Sequence, residues 1–392
     1  MRVWAAAGLA VVTAALGAGA ALLVAGTTGL GEETTTIVVD AVPATGATAP
    51  SPVAPIRAGR FDPQALYASR ADGVVTVYAS FGQQGRSQGS GFVVDRAGVI
   101  LTNAHVVTNV ESSPGDLRRA TAVYVEFTDG ERVQAELVGW DLYSDVGVLR
   151  VSPADHPVRP VPLGASAAVR VGQPVAAIGS PFGQQGSLSV GVVSAIGRSI
   201  DSLTGTFQVA NAIQIDAPIN RGNSGGPLFD AAGRVIGINA QIQSQSGTAE
   251  GVGFAIPIDL ARRALDQLLR AGKVRYAYIG VSTQDVTPGI AHAFDLAADR
   301  GALITRVEGG TPAAAAGLRG GSRSEVHNGL EVTLGGDLIV AIAGWPVQGA
   351  DDVSRLVTTR LEPGQTVPFT VLRAGRKVTV DVRLGDRPDG SG

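Results

Sequence analysis

Gly222-Asn223-Ser224-Gly225-Gly226-Pro227-Leu228 places a serine inside a glycine-rich turn, with the apolar, strand-like Leu228-Phe229 directly behind it. Upstream, Thr102-Asn103-Ala104-His105-Val106-Val107 supplies a histidine, and Ser144-Asp145-Val146-Gly147-Val148-Leu149 an aspartate. A serine hydroxyl is a poor nucleophile at neutral pH until a base takes its proton. Neutral His105 is the candidate base, and it would later protonate the leaving group; Asp145 would hold the imidazole tautomer and stabilise the imidazolium. The glycines let the backbone turn sharply, so that the amides of Gly222 and Ser224 can point at one oxyanion. Fixed donors of this kind are worth about 2.7–4 kcal/mol each at a transition state.

Other residues compete for these roles. His156, His292 and His327 lie in polar loop-like or helical contexts and read as solvated. His105 differs: it follows the apolar Val99-Ile100-Leu101 and precedes Val106-Val107, a strand-to-helix context. Asp129 precedes Gly130 and looks like a turn residue, Asp141 reads as a loop residue, and Asp145 leads directly into an apolar strand. The chain order His, Asp, Ser is that of the chymotrypsin-type triad, whereas subtilisin and α/β-hydrolases use other orders. Serine endopeptidase chemistry follows, with activity falling below about pH 6.5 as the base protonates.

The chain has 392 residues, enough for two or three domains, and at 45% apolar and 17% charged it is globular in composition. A net charge of −3 argues against a nucleic-acid partner. The absence of cysteine rules out disulfides and thiolate chemistry, and neither a metal nor a cofactor is expected. Trp4–Gly26 carries no charged side chain, is long enough for a membrane helix, and has Arg2 before it and Glu32-Glu33 after it. The expectation is a cytoplasmic stub (1–3), a signal-anchor helix (4–26) and an extracytoplasmic body at the cell membrane. A cleaved signal peptide is the competing reading.

Residues 27–63 are rich in Thr, Ala and Pro and read as a linker. From Val74 onward, short apolar or alternating runs recur between turn residues: Val74–Tyr78, Gly91–Val94, Val123–Phe127, Val175–Ile178, Ile213–Ile215 and Val235–Ile238. That spacing predicts an all-β barrel pair or sandwich. Leu260, Ala264, Leu265 and Leu268 recur at helical spacing behind Asp259, a candidate N-cap, and Gly272 stops the helix. A first domain is therefore expected over 64–272 and a smaller α+β unit over 274–386, with a tail at 387–392. The second unit has strand-like Ile279–Thr283, Ala302–Val307, Leu338–Ile342, Pro368–Leu372 and Val378–Arg383, and helical Pro312–Leu318 and Asp351–Val357.

Five segments taken together resemble the HtrA (high-temperature-requirement) serine proteases. They are Gly89–Val94, Leu101–Val107, Gly179-Ser180-Pro181-Phe182-Gly183, Gly222–Leu228 and Gly251–Pro257. The resemblance implies a chymotrypsin-type double β-barrel with catalytic His105, Asp145 and Ser224, trimers or larger homo-oligomers, and loops that reshape the turn around Asn220–Asn223. Secreted digestive enzymes of that fold carry Asp where Asn223 stands and pair it with a newly cut N-terminus. Asn cannot form that ion pair, so control by loop order is expected instead. Pro218 occupies the position where trypsin-like enzymes place a carboxylate, six residues before the serine. By resemblance Ile219, Ala240 and Ile242 line the substrate pocket, which then suits small aliphatic side chains.

Tyr278-Ile279-Gly280-Val281 resembles the carboxylate-binding loop of the PDZ domains that follow such proteases, and Thr311–Leu318 and Gly336–Ile342 fit the same module. Backbone amides at such a turn can capture a C-terminal carboxylate, and the next strand edge pairs with the peptide. Arg319–Gly335 is an insert of unassigned role. The implied substrates are misfolded or signal-bearing extracytoplasmic proteins; a chaperone or scaffold acting mainly by PDZ capture is the reading from another class.

Overall fold

The structure, a computed structural model, describes residues 61–110, 116–180, 186–201, 208–240 and 252–388. The expected helix Trp4–Gly26, nearly all of the linker, and Ile242 lie outside the described residues. Among the described residues no helix is long and apolar enough to cross a membrane.

Two closed six-stranded antiparallel barrels follow a short helix, α1 (Pro63–Arg70), whose N-terminus is capped by the Asp62 carboxylate accepting from the Ala65 amide. The first barrel comprises β1 (Val74–Ser80), β2 (Arg86–Val93), β3 (Val99–Thr102), β4 (Ala122–Glu126), β5 (Arg132–Asp141) and β6 (Val146–Arg150), closed in the order β1-β2-β3-β6-β5-β4. The second comprises β7 (Pro174–Gly179), β8 (Ser187–Asp201), β9 (Gln208–Ile215), β10 (Pro227–Asp230), β11 (Val235–Ala240) and β12 (Gly253–Pro257), in the order β10-β11-β12-β9-β8-β7. Period-two patterning builds them: in β4, Val123 and Val125 enter the core while Tyr124 faces out.

Each barrel has its own interior, Val77, Val93, Ile100, Val125 and Leu149 in one, Val175, Val193, Ile215, Leu228 and Ile236 in the other. A third core joins them: Phe92, Leu101, Val146 and Val148 meet Ile178, Phe229 and Ile238 across the seam. Truncating a fully buried phenylalanine of that seam would cost about 3–5 kcal/mol, so the barrels are fixed against each other and their facing loops form one surface.

The helix α3 (Ile258–Ala271) covers this seam with Leu260, Ala264, Leu265 and Leu268 and ends at Gly272 in a left-handed conformation. Asp259 is not its N-cap. Pro257 holds that position, and the Asp259 carboxylate instead accepts from the Ser166 hydroxyl (2.8 Å) and the Ala167 amide (3.0 Å) of the inter-barrel connection. A tertiary partner outcompeted the local cap.

The C-terminal module has a main sheet ordered β14-β15-β18-β20-β21, with a short strand, β19, paired beside β18. These strands are β14 (Val281–Val286), β15 (Gly301–Val307), β18 (Leu338–Ile342), β19 (Trp345–Pro346), β20 (Thr366–Arg373) and β21 (Arg376–Arg383). A separate pair joins β13 (Ala277–Tyr278) to β22 (Gly385–Asp386). The expected strand Ile279–Thr283 is therefore broken, because Gly280 takes φ +78° and turns the chain between β13 and β14. Helices α4 (Pro288–Ala293), α5 (Pro312–Ala315) and α6 (Ala350–Arg360) flank the sheet. The insert forms a hairpin, β16 (Arg323–His327), which is largely exposed, and β17 (Leu330–Leu334), which packs Val332 and Leu334 into a core with Leu303 and Leu338.

Candidate active site

His105 lies on α2 (Ala104–Val107), a single turn entered directly from β3. Asp145 ends the turn between β5 and β6, both in the first barrel. Its carboxylate faces His105 twice. Oδ2 stands 2.8 Å from the imidazole Nδ1, and Oδ1 accepts the His105 backbone N–H at 3.0 Å. Both side chains are buried, 7% and 4% exposed, so water does not compete for the contact. The two-point grip fixes which ring nitrogen meets the carboxylate and leaves Nε2 as the working face.

Asp145 itself sits at φ +52°, a conformation that costs a non-glycine residue about 1 kcal/mol or more. Neighbours hold it there: its carbonyl accepts from Asn103 Nδ2 (2.8 Å) and from the Ala104 amide (3.1 Å). The rival Asp141 has a different task. Its buried carboxylate accepts from the amides of Tyr143 (3.3 Å) and Ser144 (3.0 Å), the Ser144 hydroxyl and the Tyr276 phenol. Burial pushes its carboxyl up while those donors oppose the shift. Asp141 thus shapes the turn that delivers Asp145. The other rival, Asp129, pairs with His156 Nε2 at 3.0 Å near the surface. His156 is not simply solvated, since it stacks on Phe127 at 3.8 Å between centroids.

Ser224 arrives from the second barrel, on the turn before β10, and is buried. Among the described residues its hydroxyl has no hydrogen-bond partner. The first barrel grips the serine turn through Ser90. The Ser90 amide donates to the Ser224 carbonyl (2.7 Å) and its hydroxyl to the Gly222 carbonyl (2.6 Å), while the Ser180 amide donates to that hydroxyl (2.9 Å). Gly225 is obligatory here, with φ +86° and space so tight that a Cβ would fall 2.1 Å from the Ser90 carbonyl oxygen. Gly222 takes φ +100°, and among the described residues neither its amide nor that of Ser224 donates to another group. Asn223 is buried with its amide donating to the Asn220 carbonyl (3.0 Å). Ser90 lies within the quoted Gly89–Val94 segment but carried no sequence-level signal of a cross-barrel contact.

Of the pocket candidates, Ile219 and Ala240 are buried, Ile219 within the second-barrel core and Ala240 at the seam. Tyr278, Ile279, Gly280 and Val281 line a cleft with Val353 and Val357 of α6. Among the described residues no group of acidic and histidine side chains is arranged to hold a metal ion.

A trypsin-like peptidase domain model matches residues 89–238 and a PDZ domain model residues 277–384. The probable periplasmic serine endoprotease DegP-like of Hahella chejuensis is 39% identical over 306 residues, covering 78% of this chain and 58% of its own length. Its Brucella suis counterpart is 38% identical over 306 residues, covering 78% and 54%. The chain thus spans little more than half the length of these relatives. Among solved structures, the HtrA-type protease AlgW with tripeptide superposes with a TM-score of 0.68 at 33% identity, covering 84% of this chain and 99% of that one. A serine endoprotease from Yersinia pestis gives 0.58 at 28% identity, with coverage of 84% and 99%. With its double barrel, its single PDZ domain and this likeness along nearly all of AlgW, the chain belongs to the HtrA-type serine proteases.

Proposed function

We propose that the chain is a serine endopeptidase working through an acyl-enzyme. The observation that carries this is the buried His105–Asp145 pair opposite a serine turn that Ser90 ties across the barrel seam. His105 Nε2 takes the proton of Ser224 as Oγ attacks the peptide carbonyl. Asp145 keeps the opposite ring nitrogen protonated and steadies the imidazolium. The amides of Gly222 and Ser224 receive the oxyanion. The imidazolium then protonates the leaving amine, and water, deprotonated by the same base, releases the acyl group.

Ile219, Ala240 and Ile242 would line a pocket for small aliphatic side chains. Misfolded or signal-bearing extracytoplasmic proteins are the proposed substrates, in keeping with the periplasmic relatives. The PDZ domain, with Tyr278, Ile279, Gly280 and Val281, would recognise peptide C-termini. Peptidase and PDZ domains are assigned to 64–272 and 274–386, tethered to the membrane by residues 4–26 and assembled as a homo-oligomer, a trimer by family likeness.

Unfolded casein tests the central assignment. The native chain should degrade it and label with a fluorophosphonate at Ser224, while Ser224→Ala loses activity by about 10^4-fold or more. Equal degradation by both proteins, or absence of both cleavage and labelling, would remove the assignment.

A further inference from the structure

The insert Arg319–Gly335 supplies a strand with one side open. Among the described strands β16 pairs only with β17, across a tight turn in which Asn328 (φ +50°) and Gly329 (φ +80°) both take left-handed conformations. Val332 and Leu334 hold β17 on the domain core, and the Thr333 amide donates to the Gln284 side chain (3.1 Å) rather than across the hairpin. In an antiparallel ladder, bonded and non-bonded residue pairs alternate. Ser324, opposite Thr333, and Val326, two residues on, therefore turn their backbone N–H and C=O groups away from β17. Among the described residues no backbone group pairs with these, and the Val326 side chain is 74% exposed.

An open strand edge invites any other strand, and charged side chains are a common guard against it. The guard on β16 has a pattern. Arg323 and Glu325 stand two residues apart on one face of the strand, both exposed, and meet each other at 3.0 Å. A pair so open to water adds little stability within its own strand, so both charges can change partners at small cost. When two copies of β16 run antiparallel about a twofold axis at Ser324, the outward groups of the two Ser324 residues bond reciprocally. Each Arg323 then stands opposite Glu325 of the other copy, at the non-hydrogen-bonded positions where facing side chains come closest. Twofold registers centred one residue away oppose arginine to arginine or glutamate to glutamate. Charge admits the one register and penalises its neighbours.

We propose that β16 is a self-recognition edge, through which two copies of this chain join hairpin to hairpin into a four-stranded sheet. The occupant is a second copy because the two charges of the strand complement their own reversed order. The contact is short, so it is weak between two isolated chains and gains strength where each assembly presents several hairpins. It is independent of what the Tyr278–Val281 cleft binds.

Sedimentation velocity of the full chain carrying Ser224→Ala tests this. As protein concentration rises, species of twice the starting mass or more should form. Ser324→Pro removes an outward N–H but no bond of the hairpin ladder, and should weaken that association about tenfold or more. Arg323→Glu and Glu325→Arg, made separately, should each weaken it to a similar degree, because each opposes like charges twice across the axis. Mixed in equal amounts, the two singly reversed chains should associate with each other about as well as the native chain does with itself, since every opposed pair is again arginine with glutamate. A hairpin merely damaged by the substitutions would show no such recovery. The proposal is overturned by a native mass no larger than that of Ser324→Pro at any concentration, by association that survives Ser324→Pro and both reversals, or by a mixture that fails to recover.

Discussion

Two histidine–aspartate pairs lie in the first barrel and its flanking loops, and their geometry is nearly the same. His105 meets Asp145 at 2.8 Å and His156 meets Asp129 at 3.0 Å. Their surroundings differ. Asp145 is 4% exposed and spends its second oxygen on the backbone of the histidine it faces; Asp129 is 62% exposed and accepts instead from Glu131 in its own turn. His105 follows Asn103, against whose amide the serine turn packs at Gly225, whereas His156 stacks on Phe127. Distance alone does not make a catalytic dyad. Exclusion of water, a second anchoring bond and a nucleophile from another element do.

The sharpest way to break this contrast is Asp145→Asn. It keeps the shape but offers an amide where Nδ1–H needs an acceptor, and kcat should fall about 10^4-fold on a peptide substrate. A fall below tenfold would place the two pairs in the same class. Ser90→Ala sharpens the contrast from the serine's side. Losing the two buried hydrogen bonds of the Ser90 hydroxyl, each worth ~1 kcal/mol, with the Ser180 amide keeping only its long bond to the Gly222 carbonyl (3.4 Å), should lower kcat about tenfold with KM little changed. A pure KM effect would argue that Ser90 does not position the Gly222–Ser224 turn.

The smallest effect belongs to the outer pair. Hydrogen bonds, first from His156 and then from the Glu131 amide, hold the Asp129 carboxyl below its ordinary range. A depressed folded value means that the pair's contribution is present above the unfolded carboxylate value and is lost as pH falls through the folded one. The carboxylate is open to water, so that contribution is slight. Asp129→Asn should leave kcat/KM within about twofold and lower the urea midpoint slightly at neutral pH, a difference that vanishes as pH falls through the folded carboxyl value. A large loss of activity would show that the outer pair serves the site after all.

Much of this was legible in the sequence. His105 between an apolar strand and Val106-Val107, and Asp145 at the head of an apolar strand, are local patterns, and both residues stand where those patterns put them. Many of the barrel strands followed from short alternating or apolar runs, among them Val74–Tyr78 and Val235–Ile238. Ser90 was not legible as a tie across the seam, because only closure of both barrels brings it to Ser224, more than a hundred residues away. Asp141 read as a loop residue because its role depends on Tyr276, and His156 read as solvated because Phe127 comes near it only in the folded barrel. Asp259 had the right residue type for a cap, but Ser166 claimed its carboxylate. Short-range chemistry was readable; partnerships made by closure were not.

The Asp141–Tyr276 bond bears on where this molecule can be cut. Tyr276 lies beyond α3, on the segment that leads into the PDZ domain, yet it is 3% exposed and its phenol is buried against the turn that delivers Asp145. In chemical ownership it belongs to the peptidase. A fragment trimmed at the visible helix end, Gly272, loses a donor to a buried carboxylate and unroofs the Tyr143 ring that packs edge-on against it at 5.6 Å. Such a fragment should melt earlier than one extended through Ala277, a difference that thermal unfolding of the two would reveal. The seam between the two domains is thus offset from the helix end, and a working peptidase carries the first residues of its neighbour with it.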